Sequence, residues 1–298
     1  QIGDVVARGV EVAMAHPRGP IYLVLPREPL AAALPEPVGP TKPRPQAAAA
    51  YPDPRTIATL AEWIAAAERP LIITSTLPAE AVPQLERLAE RCAIPVVTHN
   101  PRSVCLPSSH SMHFGFEPGT LLTDADLVIA LESDVPWIPH LQHPPGGCRV
   151  AHVGEDPFYV RYPMRSFPSD LALQAGPAQA LDALVRAVEP RLQMADARIA
   201  ARRARLTERM RTRRAQLAKD STVGTTISPE YLSRVIGETV GKDAIIINEY
   251  PLRPDHCARE KPSTFFALGP AGGLGWGFGA ALGAKLAAPD KFVVATLG

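Results

Sequence analysis

A chain of 298 residues exceeds one ordinary domain and suits two, with 46% hydrophobic residues to fill their cores. Its 31 basic and 30 acidic side chains leave a formal charge of +1, which excludes a polyanion held by global charge alone. No apolar run is long enough to span a bilayer and no secretory leader opens the sequence, so a cytoplasmic protein without membrane contact is expected.

The cysteines Cys92, Cys105, Cys148 and Cys257 lack CxxC or Cys/His spacing, which points to free thiols and away from zinc. The chain opens on Gln1 and stops in mid-pattern at Gly298, so it is read as a piece of a longer protein.

In chain order, Val5, Val6, Val10 and Val12 recur at helical spacing within Asp4–Ala15. Gly19-Pro20 then leads into the apolar run Ile21–Leu25, so residues 1–30 read as a helix and a buried strand closing one domain. Residues 31–52 are rich in Pro and Ala and form neither ladder nor helix; they read as a stiff tether.

From Asp53 helix and strand alternate. Helices are expected at Pro54–Ala67, Ala79–Cys92 and Pro177–Val188, with a helical turn at Leu121–Thr123. Strands are expected at Pro70–Ser75, Ile94–His99, Asp126–Glu132, Cys148–Gly154 and Leu171–Ala175. This alternation specifies an α/β domain over 53–190 with a doubly wound, Rossmann-like parallel sheet.

Residues 191–227 differ. Arg191–Asp220 carries ten Lys/Arg against three Asp/Glu and no Gly, which predicts a basic helix. One reading is nucleic-acid binding. The preferred one is a solvated connector with a thin apolar stripe of Leu192, Ile199, Leu206, Met210 and Leu217, because no aromatic side chain is present to stack on a base. Ser228-Pro229-Glu230 then suits the start of a helix through Val240, opening a second α/β unit over 228–298.

Chemistry concentrates after that helix. A buried strand, Ala244–Asn248, ends at Asn248-Glu249, where parallel folds place polar functional groups; a strand-ending Asx turn is the bland alternative. Gly272-Gly273-Leu274-Gly275 enters an Ala/Gly-rich helix whose free amides would bind an anion. Close packing accounts for Gly277, Gly279 and Gly283, but less well for Gly272 and Gly273, which precede the helix. A final strand, Phe292–Leu297, stops at Gly298.

The pairs His110/His113 and His140/His143 have no neighbouring third ligand and read as loop histidines, whereas His256 follows Glu249 closely. The first turn of the central domain, Thr74-Ser75-Thr76-Leu77-Pro78, has no glycine. FAD or NAD is therefore disfavoured there, while a non-catalytic nucleotide-binding scaffold stays a rival from another class.

Three stretches together resemble the thiamine-diphosphate enzymes that include acetolactate synthase and benzoylformate decarboxylase. They are GPIYLVLPREPL (Gly19–Leu30), the run ERPLIITS, AIPVVTHN, TDADLVIALESD, and the closing NE…PSTFFALGPAGGLGWGFGAALGAKLAAPDKFVVATLG. The resemblance implies the end of a pyrimidine-binding domain, a central domain and the start of a diphosphate-binding domain, so partial cofactor-binding α/β domains flank the central one.

It further implies that the Gly272 carbonyl accepts a hydrogen bond from the aminopyrimidine, that Leu274 is the apolar wedge bending the cofactor, and that Gly273 belongs to the same loop. Asn248 and Glu249 would lie near the diphosphate. Gly298 would begin a metal-binding Gly-Asp-Gly, placing the magnesium ligands after it. The activating glutamate would precede Gln1. Where relatives carry small hydroxyl or Gly/Gln residues, this chain has Tyr250-Pro251-Leu252-Arg253, with Arg253 or His256 as substitute phosphate contacts.

The implied activity is decarboxylation or carboligation of a 2-oxo acid, acetolactate-synthase-like, with benzoylformate decarboxylase as the alternative, in a homodimer or homotetramer. The piece alone is expected to be inactive.

Overall fold

The computed structural model describes residues 2–33, 39, 44–250, 252–269 and 271–298, which fall into two units, Gln1–Ala50 and Tyr51–Gly298. In the first, helix α1 (Ile2–Met14) matches the valine spacing, and a short helix α2 (Arg27–Ala31) follows. The strand expected at Ile21–Leu25 does not form: the segment has no strand assignment, and Tyr22 is 92% and Val24 65% exposed. No strand among the described residues of this unit offers it a ladder, so its backbone groups stay with water. Much of the expected tether, at 34–38 and 40–43, lies outside the described residues.

The second unit is built on two parallel sheets. Strands β1 (Pro70–Thr74), β2 (Val96–Thr98), β3 (Leu127–Leu131), β4 (Arg149–Gly154) and β5 (Leu171–Gln174) pair in the order β2-β1-β3-β4-β5. Every residue of β1, β2 and β3 is buried, which explains why these segments read as continuous apolar runs rather than alternating ones. Helix α3 (Pro54–Ala66) is capped by the Asp53 carboxylate, which accepts the Thr56 amide at 2.8 Å. Helix α4 (Val82–Cys92) buries Val82, Leu85, Leu88, Ala89 and Cys92, and a short helix α5 (Gly119–Thr123) precedes β3.

The second sheet contains β6 (Ile245–Asn248), β7 (Phe265–Ala267) and β8 (Val293–Thr296) in the order β7-β6-β8. Its helices are α7 (Pro229–Val240) and α8 (Trp276–Ala287); Ser228 caps α7 by accepting the Tyr231 amide at 3.1 Å. The sequence hid β7. It is three residues long and sits between Ser263-Thr264 and Gly269, too short for any periodicity. The loop after β2 docks on it, with the Ala267 amide donating to the Arg102 carbonyl at 3.1 Å.

Between the sheets runs helix α6, continuous over Pro177–Asp220 for 44 residues. The sequence divides this stretch near Pro190. The helix instead passes through that exposed proline, where the lost backbone bond faces solvent.

Its charge has a use. Arg198 donates to the Ala65 carbonyl at 2.8 Å, Arg202 to those of Ala67 (3.0 Å) and Cys92, Arg205 to that of Glu68 (3.1 Å), and Arg203 to that of Glu90. These carbonyls belong to the C-terminal ends of α3 and α4, where backbone acceptors lack helical partners and the helix dipole favours cations. Arg213 crosses Gly115, where a Cβ would overlap its guanidinium, to reach Asp255 beside the second sheet. On the inner face Ala195, Ile199, Arg202, Leu206 and Met210 are buried.

Arg202 is the pivotal member: it is 2% exposed, and burial lowers its guanidinium to about 10. Arg202→Ala strands two buried carbonyls and is expected to lower the unfolding free energy by about 3 kcal/mol. Arg214→Ala, on the exposed side, should change it by less than ~0.5 kcal/mol. Urea denaturation of both variants checks the contrast.

Candidate functional site

The carboxyl ends of β6 and β8 meet the start of α8. Asn248 closes β6: its side-chain oxygen accepts the Thr296 hydroxyl at 2.9 Å and the Leu252 amide at 3.3 Å. The Thr296 carbonyl in turn accepts the amides of Glu249 (3.0 Å) and Tyr250 (3.2 Å). Asn248 thus ties the ends of two strands together; its bond to an amide four residues on is not the Asx turn of the bland alternative, which accepts two residues on.

Glu249 reaches across to α8. One carboxylate oxygen accepts the Gly275 amide at 2.9 Å and the other the Gly277 amide at 2.6 Å. These two bonds, Gly275 first and Gly277 second, hold the carboxyl below its ordinary range. The anion-binding amides expected at this helix start are therefore already taken by a carboxylate of the chain itself. The sequence carried one sign of this: Gly275-Trp276-Gly277 supplies no Ser, Thr, Asp or Asn to cap its own helix, so a cap has to come from elsewhere.

The glycines differ in purpose. At Gly277 a Cβ would meet Leu297 Cδ2 at 2.7 Å and Glu249 Cβ at 3.0 Å, so the close approach needs glycine. Gly279 and Gly283, which the sequence assigned to the same packing, face open space. Open space also surrounds Gly272, Gly273 and Gly275; Gly272 (φ +61°) and Gly275 (φ +84°) adopt left-handed conformations that favour glycine. Leu274, between them, is 86% exposed.

At Gly298 a Cβ would lie 3.1 Å from the Tyr250 ring, which places that terminus beside Asn248-Glu249. Arg253 and His256 are not brought to this loop by any contact: Arg253 lies 3.8 Å from Glu230 on α7, and the His256 amide donates to the Arg253 carbonyl.

A cleft of about 500 Å³ separates Asn248, Glu249 and Gly269 from Arg102 and Asp134 at the carboxyl end of the first sheet. Burial works to raise the Asp134 carboxyl, but the Arg102 hydrogen bond and charge, with the Tyr162 hydroxyl at 3.0 Å, outweigh it and hold it low. Beside it, burial pushes Glu132 up to about 7, against the hydrogen bond it accepts from the Glu155 amide.

The chain's own polar groups also bond to one another at this end of the first sheet. Ser75 and Ser133 hydroxyls lie 3.0 Å apart, and Arg165 donates to the Ser133 and Asp134 carbonyls.

Of the loop histidines, His113 is buried rather than superficial, and burial, with Arg213 nearby, lowers it to about 3. Among the described residues no three His, Cys, Asp or Glu gather at metal-binding distance.

Two family models match the chain: the thiamine pyrophosphate enzyme central domain over residues 57–184, and the thiamine pyrophosphate enzyme C-terminal TPP binding domain over residues 254–298. The chain is 28% identical to a benzoylformate decarboxylase of Pseudomonas aeruginosa across 98% of its own length and 55% of that protein. It is 27% identical to an acetolactate synthase of Mycobacterium avium across 83% of its length and 41% of that protein. The chain therefore spans about half the length of the relatives it matches. The crystal structure of benzoylformate decarboxylase from Polynucleobacter necessarius superposes with a TM-score of 0.71 at 22% identity, over 99% of this chain and 55% of that one, and so shares its fold.

The glycine geometry separates two substitutions. Gly277→Ala should destabilise by about 1–3 kcal/mol through overpacking, whereas Gly279→Ala should stabilise by up to ~1 kcal/mol through helix propensity. Chemical denaturation distinguishes them. The Glu249 cap is also pH-dependent. A carboxyl depressed by folding stabilises above its unfolded pKa, about 4.3, and that contribution is lost as pH falls through the folded value. The protection of the Gly275 and Gly277 amides against exchange, relative to their intrinsic rates, should fall in that acid window and, at neutral pH, in Glu249→Ala.

Proposed function

We propose that this chain, which belongs to the thiamine pyrophosphate enzyme family, helps to form the cofactor site of a decarboxylase or carboligase acting on 2-oxo acids. The observation that carries this is the loop Gly272–Gly275: unhindered glycine backbone and a free-standing Leu274, within the segment matching the TPP-binding domain.

The residues fit the ring end of thiamine diphosphate. An open backbone lets the Gly272 carbonyl accept from an amino group, and Leu274 offers an apolar prop with no other contact to satisfy. They do not fit the diphosphate end by way of α8, because Glu249 occupies the amides there and its charge repels an anion. Asn248 and Glu249 would instead have a positioning role: they fix the loop against β6 and β8.

When bound, the cofactor supplies the electron sink for loss of carbon dioxide from a 2-oxo acid. The chain's part is to orient and to hold. Gly273 and Gly275 would let the backbone approach, and Leu274 would shield the bound ring from water. The family resemblance also supports a homodimer or homotetramer, which light scattering tests. Four free cysteines suit a reducing, cytoplasmic setting. Among the described residues no helix is long and apolar enough to cross a membrane.

Carbon dioxide release from pyruvate and from benzoylformate, with thiamine diphosphate and magnesium, tests the activity in the protein that carries these residues. Leu274→Ala should lower turnover at least ~10-fold and leave the melting temperature unchanged, since the side chain is exposed. Unaltered turnover removes Leu274 from the site.

A further inference from the structure

At the amino-terminal edge of the first sheet, away from the cleft described above, α6 passes the starts of β1 and β2. A cavity of about 570 Å³ lies there, within the size range of small-molecule sites. Four guanidiniums line it: Arg69, Arg202, Arg205 and Arg209. Their hydrogen-bond partners are neutral oxygens. Arg69 Nε donates to the Asp124 carbonyl at 2.6 Å, Arg202 and Arg205 bind the carbonyls already named, and Arg209 donates to the Thr120 hydroxyl.

Acidic compensation is thin. Asp124 is the single carboxylate in the lining, and Arg69 has one distant ion pair, with the exposed Glu68 at 3.8 Å. Asp126, which also faces this region, spends its oxygens on the Glu68 and Arg69 amides at 2.6 and 2.9 Å. Four positive charges thus gather at one cavity, and Arg69, Arg205 and Arg209 each keep N–H groups to spare out of their five.

Arg202 itself is closed off, 2% exposed and bound to the Ala67 and Cys92 carbonyls, so it contributes charge from beneath the cavity while Arg69, Arg205 and Arg209 offer the reachable N–H groups.

We propose that this cavity is a binding site for a phosphate-class dianion, either inorganic phosphate or the phosphoryl end of a nucleotide. A guanidinium fork matches paired phosphoryl oxygens, and such a charge offsets the mutual repulsion of the four arginines. Pro70, Pro95 and Leu206, all buried, form the apolar floor beneath the charges.

The test is thermal shift and calorimetry with phosphate, pyrophosphate and ATP, each against chloride of matched ionic strength, without magnesium or thiamine diphosphate. The expected result is a rise in melting temperature of ~3 °C or more at millimolar ligand, lost in Arg205→Gln/Arg209→Gln. Both side chains are partly exposed, so that variant should fold. The single Arg209→Gln, with at least a tenfold weaker Kd, provides a second reading.

Stronger binding of ATP than of pyrophosphate identifies a nucleotide source, and equal binding an inorganic one; either supports the site. Hydrogen exchange on adding ligand should slow at 67–70, 93–96 and 202–209. No shift beyond chloride, equal binding by the double variant, or slowed exchange confined to 272–277 would overturn it.

Discussion

The second unit depends on one kind of contact: an arginine on α6 donating to the carbonyls at the end of a helix. Two helices on the first sheet end beside α6, and each end exposes acceptors that no helical amide can reach. Arg198, Arg202, Arg203 and Arg205 satisfy them, and Arg213 makes a different contact, an ion pair with Asp255 beside the second sheet. The basic run is therefore more than a solvated face. Its charge is turned inward, towards the partial negative charge at the ends of α3 and α4.

This bears on what a sequence can disclose. The strands of the first sheet were legible because burial on both faces makes each a short apolar run, and the Asp53 and Ser228 caps were legible because each lies within three residues of its target. Contacts at long separation left little trace. The reach of Arg202 to Ala67 and of Glu249 to Gly277 joins segments that no local pattern connects.

Pro190 misled for the opposite reason: a strong local rule met a helix held by tertiary contacts on both sides of it. At Ile21–Leu25 an apolar composition suited a strand, but a strand requires a neighbour, and composition does not report one.

The candidate site shows the same division. That glycines at Gly272–Gly275 mark open backbone followed from their order in the sequence. That Glu249 fills the adjoining helix start did not. The result is a candidate site with two characters: an uncluttered glycine loop, and an acidic cap on the helix behind it. Fixing a loop from below while leaving its upper face bare is one way to pre-organise a backbone acceptor without covering it.

The meeting of Glu249, Gly277 and Leu297 has an evolutionary consequence. Three segments, the end of β6, the first turn of α8 and the end of β8, contribute one residue each to a space with no room for another carbon. A side chain at position 277 requires the Leu297 side chain to move or shrink, and it still meets the Glu249 Cβ, an atom that a shorter acid would keep. These three positions should drift as a linked set, while Gly279, two residues further along the same helix, drifts alone.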